Sequence, residues 1–151
     1  MSAAYLAIKL LHILLAITAL GANLTYGVWI ARAKIHPEFA TVALRGVKLI
    51  DDRIANPAYL LLLPTGAAMV WLGGYSFGTR WIAWAMTLWA LAVLAAYFGY
   101  TPALAGEIRA IERDGPNSPS AAASSKRGSI FAAILGVLIV AILVLMVFKP
   151  V

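Results

Sequence analysis

The run IFAAILGVLIVAILVLMVF, from Ile130 to Phe148, carries no charged or strongly polar side chain and closes on Lys149 and Pro150. In hydrocarbon only a helix pairs all of its own backbone N–H and C=O groups. About 20 helical residues at about 1.5 Å each cross a core of about 30 Å. Three further segments come close to that requirement: Tyr5 to Ala31, Ile54 to Tyr75 and Trp81 to Tyr100. The chain is 63% apolar and only 12% charged, against about 45–50% and about 25% in soluble domains. It therefore reads as all-α, a single integral membrane domain over residues 1–151, with four spans packed as a four-helix bundle in a lipid bilayer.

The net charge is +6, but no compact basic face of the kind that binds nucleic acid is formed. The basic residues fall between the spans, where membrane topology places them. The first connection holds Arg32, Lys34, Arg45, Lys48 and Arg53, and the third holds Arg109, Arg113, Lys126 and Arg127. Only Lys9, Arg80 and Lys149 lie toward the opposite ends. The positive-inside rule then predicts an inner-membrane protein with both of these connections cytoplasmic and both termini outside. Trp29, Trp71, Tyr75, Trp81, Trp84, Tyr97 and Tyr100 sit near span ends, where amphipathic rings anchor in the headgroup layer. Lys9 and the small residues of Ala19-Leu20-Gly21-Ala22 would also suit a cleaved signal peptide. Arg32 and Lys34 immediately after the run oppose export of that end.

Between the first two spans, Phe39, Val42, Ala43, Val47, Ile50 and Ile54 recur at three- and four-residue steps, with Arg45, Lys48 and Asp52 elsewhere around the axis. This pattern predicts a cytoplasmic interfacial helix, with Lys48 and Asp52 spaced as an i,i+4 pair. Asp51 and Asp52 precede a helix starting near Pro57, where carboxylates favour the positive helix end; a cation site at the mouth of the second span is the other reading. Pro64 falls inside that span and predicts a kink. After the third span, GEIRAIERDG continues a helix beyond Pro102, and residues 115–128, rich in Pro, Ser and Ala, are expected to form a flexible linker.

The first span holds groups that lipid penalises. At about 100° per residue, Tyr5, His12, Ala16, Ala19, Asn23, Tyr26 and Gly27 share one face, with Lys9 at its margin. Such a face admits a neighbouring helix closely and gives its polar groups partners inside protein. Lys9 reaches the surface by extending its stem. An intramembrane imidazole can hydrogen-bond between helices, ligate haem iron or relay a proton, so His12 is the main candidate, with Asn23 and Tyr26 beside it. Asn23-Leu24-Thr25 matches a glycosylation pattern but lies at membrane depth. The absence of cysteine excludes thiolate metal sites and disulfides. No phosphate-cradling glycine loop, serine nucleophile arrangement or pair of intramembrane carboxylates is present, which leaves hydrolase and nucleotide-driven chemistry without support.

The run from Lys9 and His12 through Gly21, Tyr26 and Arg32 resembles the opening helix of small bacterial four-helix membrane proteins. These include the HemJ-type protoporphyrinogen oxidases, the CopD-type copper-resistance domains and a related group of predicted integral membrane proteins of unknown function. Arg53-Ile-Ala-Asn-Pro57-Ala58 is similar to the entrance of their second helix, and Ala96-Tyr97-Phe98-Gly99-Tyr100 to the end of their third. The HemJ-type likeness implies haem b with His12 as an axial ligand. Phe98 stands where that likeness leads one to look for a third-helix histidine, and His36 belongs to the first connection, far from His12 in depth. Met69 and Met86 are candidates for a second axial ligand, although a methionine in an apolar span ordinarily serves packing. Copper handling lacks a paired methionine motif or a histidine cluster. Two readings stay open: a membrane protein handling haem, porphyrin, protons or electrons through His12, and a non-catalytic subunit or scaffold packing against a membrane partner or its own copies.

Overall fold

The computed structural model describes residues 2–150, and among these every regular element is helical. The helices are α1 (Ala3–Ile35), α2 (Ala40–Ile50), α3 (Asn56–Leu72), α4 (Arg80–Ala95), α5 (Thr101–Asp114) and α6 (Pro119–Phe148). A 3₁₀ turn, Pro37–Phe39, precedes α2. α2 runs into α3 through a π-helical turn, Asp51–Ala55, and α4 runs into α5 through another, Ala96–Tyr100. Four continuous helices long and apolar enough to cross a membrane result: Ala3–Ile35, Pro37–Leu72, Arg80–Asp114 and Pro119–Phe148. Each exceeds the roughly 20 residues a bilayer requires. The end of the bundle that carries the two basic connections is called the basic end below.

The two π turns share a cause. Each ends one residue before an X-Pro step, Asn56-Pro57 in one case and Thr101-Pro102 in the other. A proline ring clashes with the carbonyl four residues back and supplies no N–H to it. Widening the turn relieves both problems. The Asn56 N–H accordingly donates to the Asp51 carbonyl and the Thr101 N–H to the Ala96 carbonyl, five residues back in each case. The extra residue also rotates α2 against α3, and α4 against α5, by about 100°.

α1 packs along α3 and α4 along α6, while α2 lies against α1 and α5 and so joins the two pairs at the basic end. Leu44, Val47, Ala55, Tyr100, Leu104 and Ile108 form the core there, together with Tyr26. Arg45 closes this layer from outside, its guanidinium lying 2.6 Å from Glu112 Oε1 on α5. Gly99 lets α6 approach the second π turn: a Cβ at this position would overlap the Phe131 ring. At the far end, the Lys149 ammonium lies 5.6 Å from the Trp81 ring centroid, tying the end of α6 to the start of α4.

Two expectations are corrected. The segment between the first two spans is a helix as expected, α2, and it continues through the π turn into α3. Its inward face is Ala40, Ala43, Leu44 and Val47, whereas Phe39, Val42 and Ile54 are exposed. Residues 119–128 of the expected flexible linker are helix, leaving only a short turn after Gly115, whose φ of 91° ends α5. Ser118 caps α6 by accepting from the Ala121 N–H at 3.3 Å, and Pro119 takes the first turn, where a missing N–H costs nothing. The SAAASS run then extends as helix because alanine has the highest helix propensity. Tyr100, expected in the headgroup layer, is buried in the core. Trp29, Trp71, Tyr75, Trp84 and Tyr97 are exposed, as ring anchors must be. α3 runs unbroken through Pro64.

Candidate functional site

The polar face of α1 turns toward α3 and the first π turn. Tyr5, Ala19 and Tyr26 are buried and His12, Ala16 and Asn23 half-buried, while Gly27 and Lys9 are exposed. The three candidate residues of this face find three separate partners on the second long helix.

His12 Nδ1 lies 2.8 Å from Thr65 Oγ1, and that hydroxyl donates at 2.7 Å to the Leu61 carbonyl one turn back in α3. With its proton so committed, Thr65 accepts from Nδ1–H, which assigns the tautomer and leaves the Nε2 lone pair free. Gly66 makes room for the ring, since a Cβ there would sit 3.3 Å from His12 Cε1.

Asn23 Nδ2 donates to the Tyr59 hydroxyl. The Tyr59 backbone carbonyl in turn accepts from the Trp89 indole N–H at 3.1 Å, which bridges α3 to α4.

Deeper toward the basic end, the Tyr26 hydroxyl donates to Asp51 Oδ1 at 3.3 Å, and Asn56 Nδ2 donates to Asp51 Oδ2 at 3.2 Å. Asp51 is 6% exposed, Tyr26 4% and Tyr100 6%. The Tyr26 and Tyr100 rings lie parallel, with centroids 6.5 Å apart and planes 6° from one another. The Tyr100 hydroxyl is buried without a protein partner. Among the described residues, no lysine or arginine pairs with Asp51. A carboxyl thus sits in the interior with a phenol and an amide for company, and a second, unpaired phenol nearby. A buried polar group left unpaired costs roughly 1–3 kcal/mol, so this grouping calls for a role.

Both π turns build this cluster, one supplying Asp51 and the other Tyr100. π turns of this kind occur frequently at functional sites. The reading of Asp51 as a charge favouring a helix start is corrected: α2 is already three turns long when it reaches Asp51, so no free helix N-terminus exists there. Asp52 behaves as its spacing predicts and binds the Lys48 ammonium at 2.8 and 3.0 Å. Since the two carboxylates have different partners, they do not form a joint cation site. A signal for Asp51 was present in its spacing, because Leu44, Val47 and Asp51 follow at three- and four-residue steps and therefore share the inward stripe.

For haem, the donor set supplies one axial nitrogen, His12 Nε2, oriented through its other ring nitrogen as ligating imidazoles are. Of the other donors, Met69 is half-buried on α3, one turn beyond Thr65. His36 stands about 36 Å away along α1, next to Glu38 at 3.3 Å, and Met86 is exposed. Among the described residues, no group of three His, Cys, Asp or Glu side chains could hold a metal ion. Two cavities, of about 410 and 190 Å³, lie at the basic end, and His12 lines neither.

A family described as "Predicted integral membrane protein (DUF2269)" matches residues 6–150. The chain belongs to this family. The DUF2269 match takes in both π turns and every helix except the first residues of α1, so the polar cluster lies within the matched region. Comparison with curated proteins and with solved structures gives no match. The DUF2269 description supports a small integral membrane protein, and the likeness to HemJ-type and CopD-type proteins gains no further support from it.

Proposed function

We propose that this DUF2269 protein handles protons in the membrane, with the Asp51 carboxyl as the group that takes up and releases the proton. One observation carries this reading: Asp51 is held in the interior by Tyr26 and Asn56, with no salt bridge to a lysine or arginine among the described residues. An ion pair would fix the carboxylate in its charged form, whereas a phenol and a primary amide serve both forms. The ionised carboxylate accepts from both neighbours. The neutral acid donates its own proton to the amide oxygen once Asn56 has turned over, while Tyr26 continues to donate. Ionisable groups in membrane bundles mark relays and pumps for this reason.

Tyr26 connects Asp51 to the α1 face, where Asn23 and Tyr59 form the next station. His12 and Thr65 form a third, about 17 Å from Asn23 along the α1 axis, with only Ala16 and Ala19 on the stripe between. Following the positive-inside rule, the basic end faces the cytoplasm of a bacterial cell and both termini face outward, so that Asp51 exchanges with the cytoplasmic side.

The experiment is proton flux into vesicles containing the full chain and a trapped pH-sensitive dye, under an imposed potential. Wild-type protein is expected to move protons and the isosteric Asp51→Asn variant to lose that activity. Equal flux in the two would overturn the proposal and favour the scaffold reading, in which the polar face only packs helices.

The free Nε2 of His12 favours a second reading, an axial ligand to haem b. Purified protein would then show a Soret band that His12→Ala removes; colourless protein that gains no band on haem addition would exclude it.

A further inference from the structure

The two cavities at the basic end are continuous in their lining. The outer one, about 410 Å³, is bounded by α1, α2, α5 and the start of α6, with Lys34, Glu107, Asn117 and Lys126 as its strongest polar groups. The inner one, about 190 Å³, shares Ile30, Glu107, Ser125 and Ser129 with it and ends on Tyr100, Leu104, Gly128 and Ala132. The pair therefore changes character with depth, from the Lys34 and Lys126 ammonium groups at the mouth, through Glu107, Ser125 and Ser129 shared by both cavities, to Tyr100 and small or apolar side chains within. The one polar atom deep in this region with nothing to bond is the Tyr100 hydroxyl.

We infer that this double cavity binds an anionic phospholipid, its phosphate held at the mouth by Lys34 and Lys126 and one chain entering the inner cavity past Ile30 and Leu104. Depth and charge both specify this occupant. Lys34 follows the first span and Lys126 precedes the last by only a few residues, which sets the mouth at the level of phosphate headgroups. Basic pockets between membrane helices at such a level recognise anionic headgroups. A zwitterionic lipid would present its own cation to the two lysines and gain less. The ester carbonyl at the head of the chain is an acceptor of the kind the Tyr100 hydroxyl lacks, and no other part of the lipid carries one to that depth. A phosphate ester with an apolar chain is also the chemistry of soluble amphiphiles, so the test separates the two sources.

Full-length protein is exchanged into zwitterionic detergent and mixed with phosphatidylglycerol, phosphatidylcholine, a short-chain alkyl phosphate or inorganic phosphate, and the bound fraction is read by native mass spectrometry. Phosphatidylglycerol is expected to be retained at least roughly tenfold better than phosphatidylcholine. Lys34→Gln with Lys126→Gln should abolish that preference, and Lys34→Arg with Lys126→Arg should keep it. Ala132→Leu, which fills the inner cavity without altering charge, should weaken the lipid but leave inorganic phosphate unaffected. Equal retention of the two lipids overturns the proposal, as does a preference that survives the double glutamine variant. Retention of alkyl phosphate or inorganic phosphate in place of the lipid overturns the lipid as occupant. Should the double glutamine variant fail to fold, the salt dependence of wild-type retention decides. Loss of the preference at high salt supports the lysine contacts, and its persistence overturns them.

Discussion

The Tyr26 hydroxyl on α1 donates to the Asp51 carboxylate in the first π turn at 3.3 Å, with both residues buried. This bond joins the first long helix to the second at the level where the second changes direction. It connects the polar face of α1 to the only carboxylate in the core of the described residues. Tyr26→Phe keeps the ring and its stacking on Tyr100 but removes the donor. A cost of about 1–3 kcal/mol is expected, because Asp51 Oδ1 is left without a partner. Reversible unfolding in mixed detergent micelles measures it, and no change in midpoint would mean that the bond contributes nothing.

Two adjacent carboxylates should respond in opposite ways. Asp52→Asn removes an exposed pair with Lys48, so stability should change by no more than about 0.5 kcal/mol. Asp51→Asn leaves the fold in place but is expected to abolish proton flux. A loss of flux in Asp52→Asn as large as that in Asp51→Asn would count against the assignment of roles.

Gly99 is the position where α6 crosses the second π turn. Gly99→Ala places a methyl group in the space of the Phe131 ring, and overpacking of this kind costs about 1–3 kcal/mol. Phe131→Leu in the same chain should recover part of that loss. Thermal unfolding of the two variants and their combination gives the coupling directly.

The prolines sustain the π turns. Pro57→Ala restores an N–H and removes the ring clash, so the turn can tighten to α and rotate Asp51 by about 100° away from Tyr26. Proton flux should fall although stability is unchanged or raised. The sequence contains no native cysteine, so cysteines introduced at positions 26 and 51 report the rotation through their cross-linking yield. A yield that Pro57→Ala leaves unaltered would contradict this account of the turn.

The membrane spans were legible because hydropathy and helix length act locally, without reference to tertiary contacts. The inward face of α1 was legible for a similar reason: His12, Asn23 and Tyr26 repeat at the helical period, and an uninterrupted helix keeps that register. Ile54 leaves the inward face of α2 because the π turn at Asp51–Ala55 breaks the constant angle that places residues before and after it on one wheel, whereas Val42, ahead of that turn, stands about 100° from Ala43 and so off the inward face. Tyr100 stands at a span end in the sequence, yet the second π turn rotates it into the core. Ser118-Pro119 is a helix start in local chemistry, but the Pro and Ser content of the segment outweighed it. The pairing of Asp51 with Tyr26 depends on how three helices meet, which no single segment specifies.

Infrared difference spectroscopy of the membrane-reconstituted protein, recorded between acidic and alkaline buffer, tests most directly whether Asp51 is the proton-carrying group. A protonated-carboxyl band should appear and vanish with pH in wild-type protein, shift in Tyr26→Phe and be absent from Asp51→Asn. The same band persisting in Asp51→Asn, or no such band in the wild type, would contradict the account.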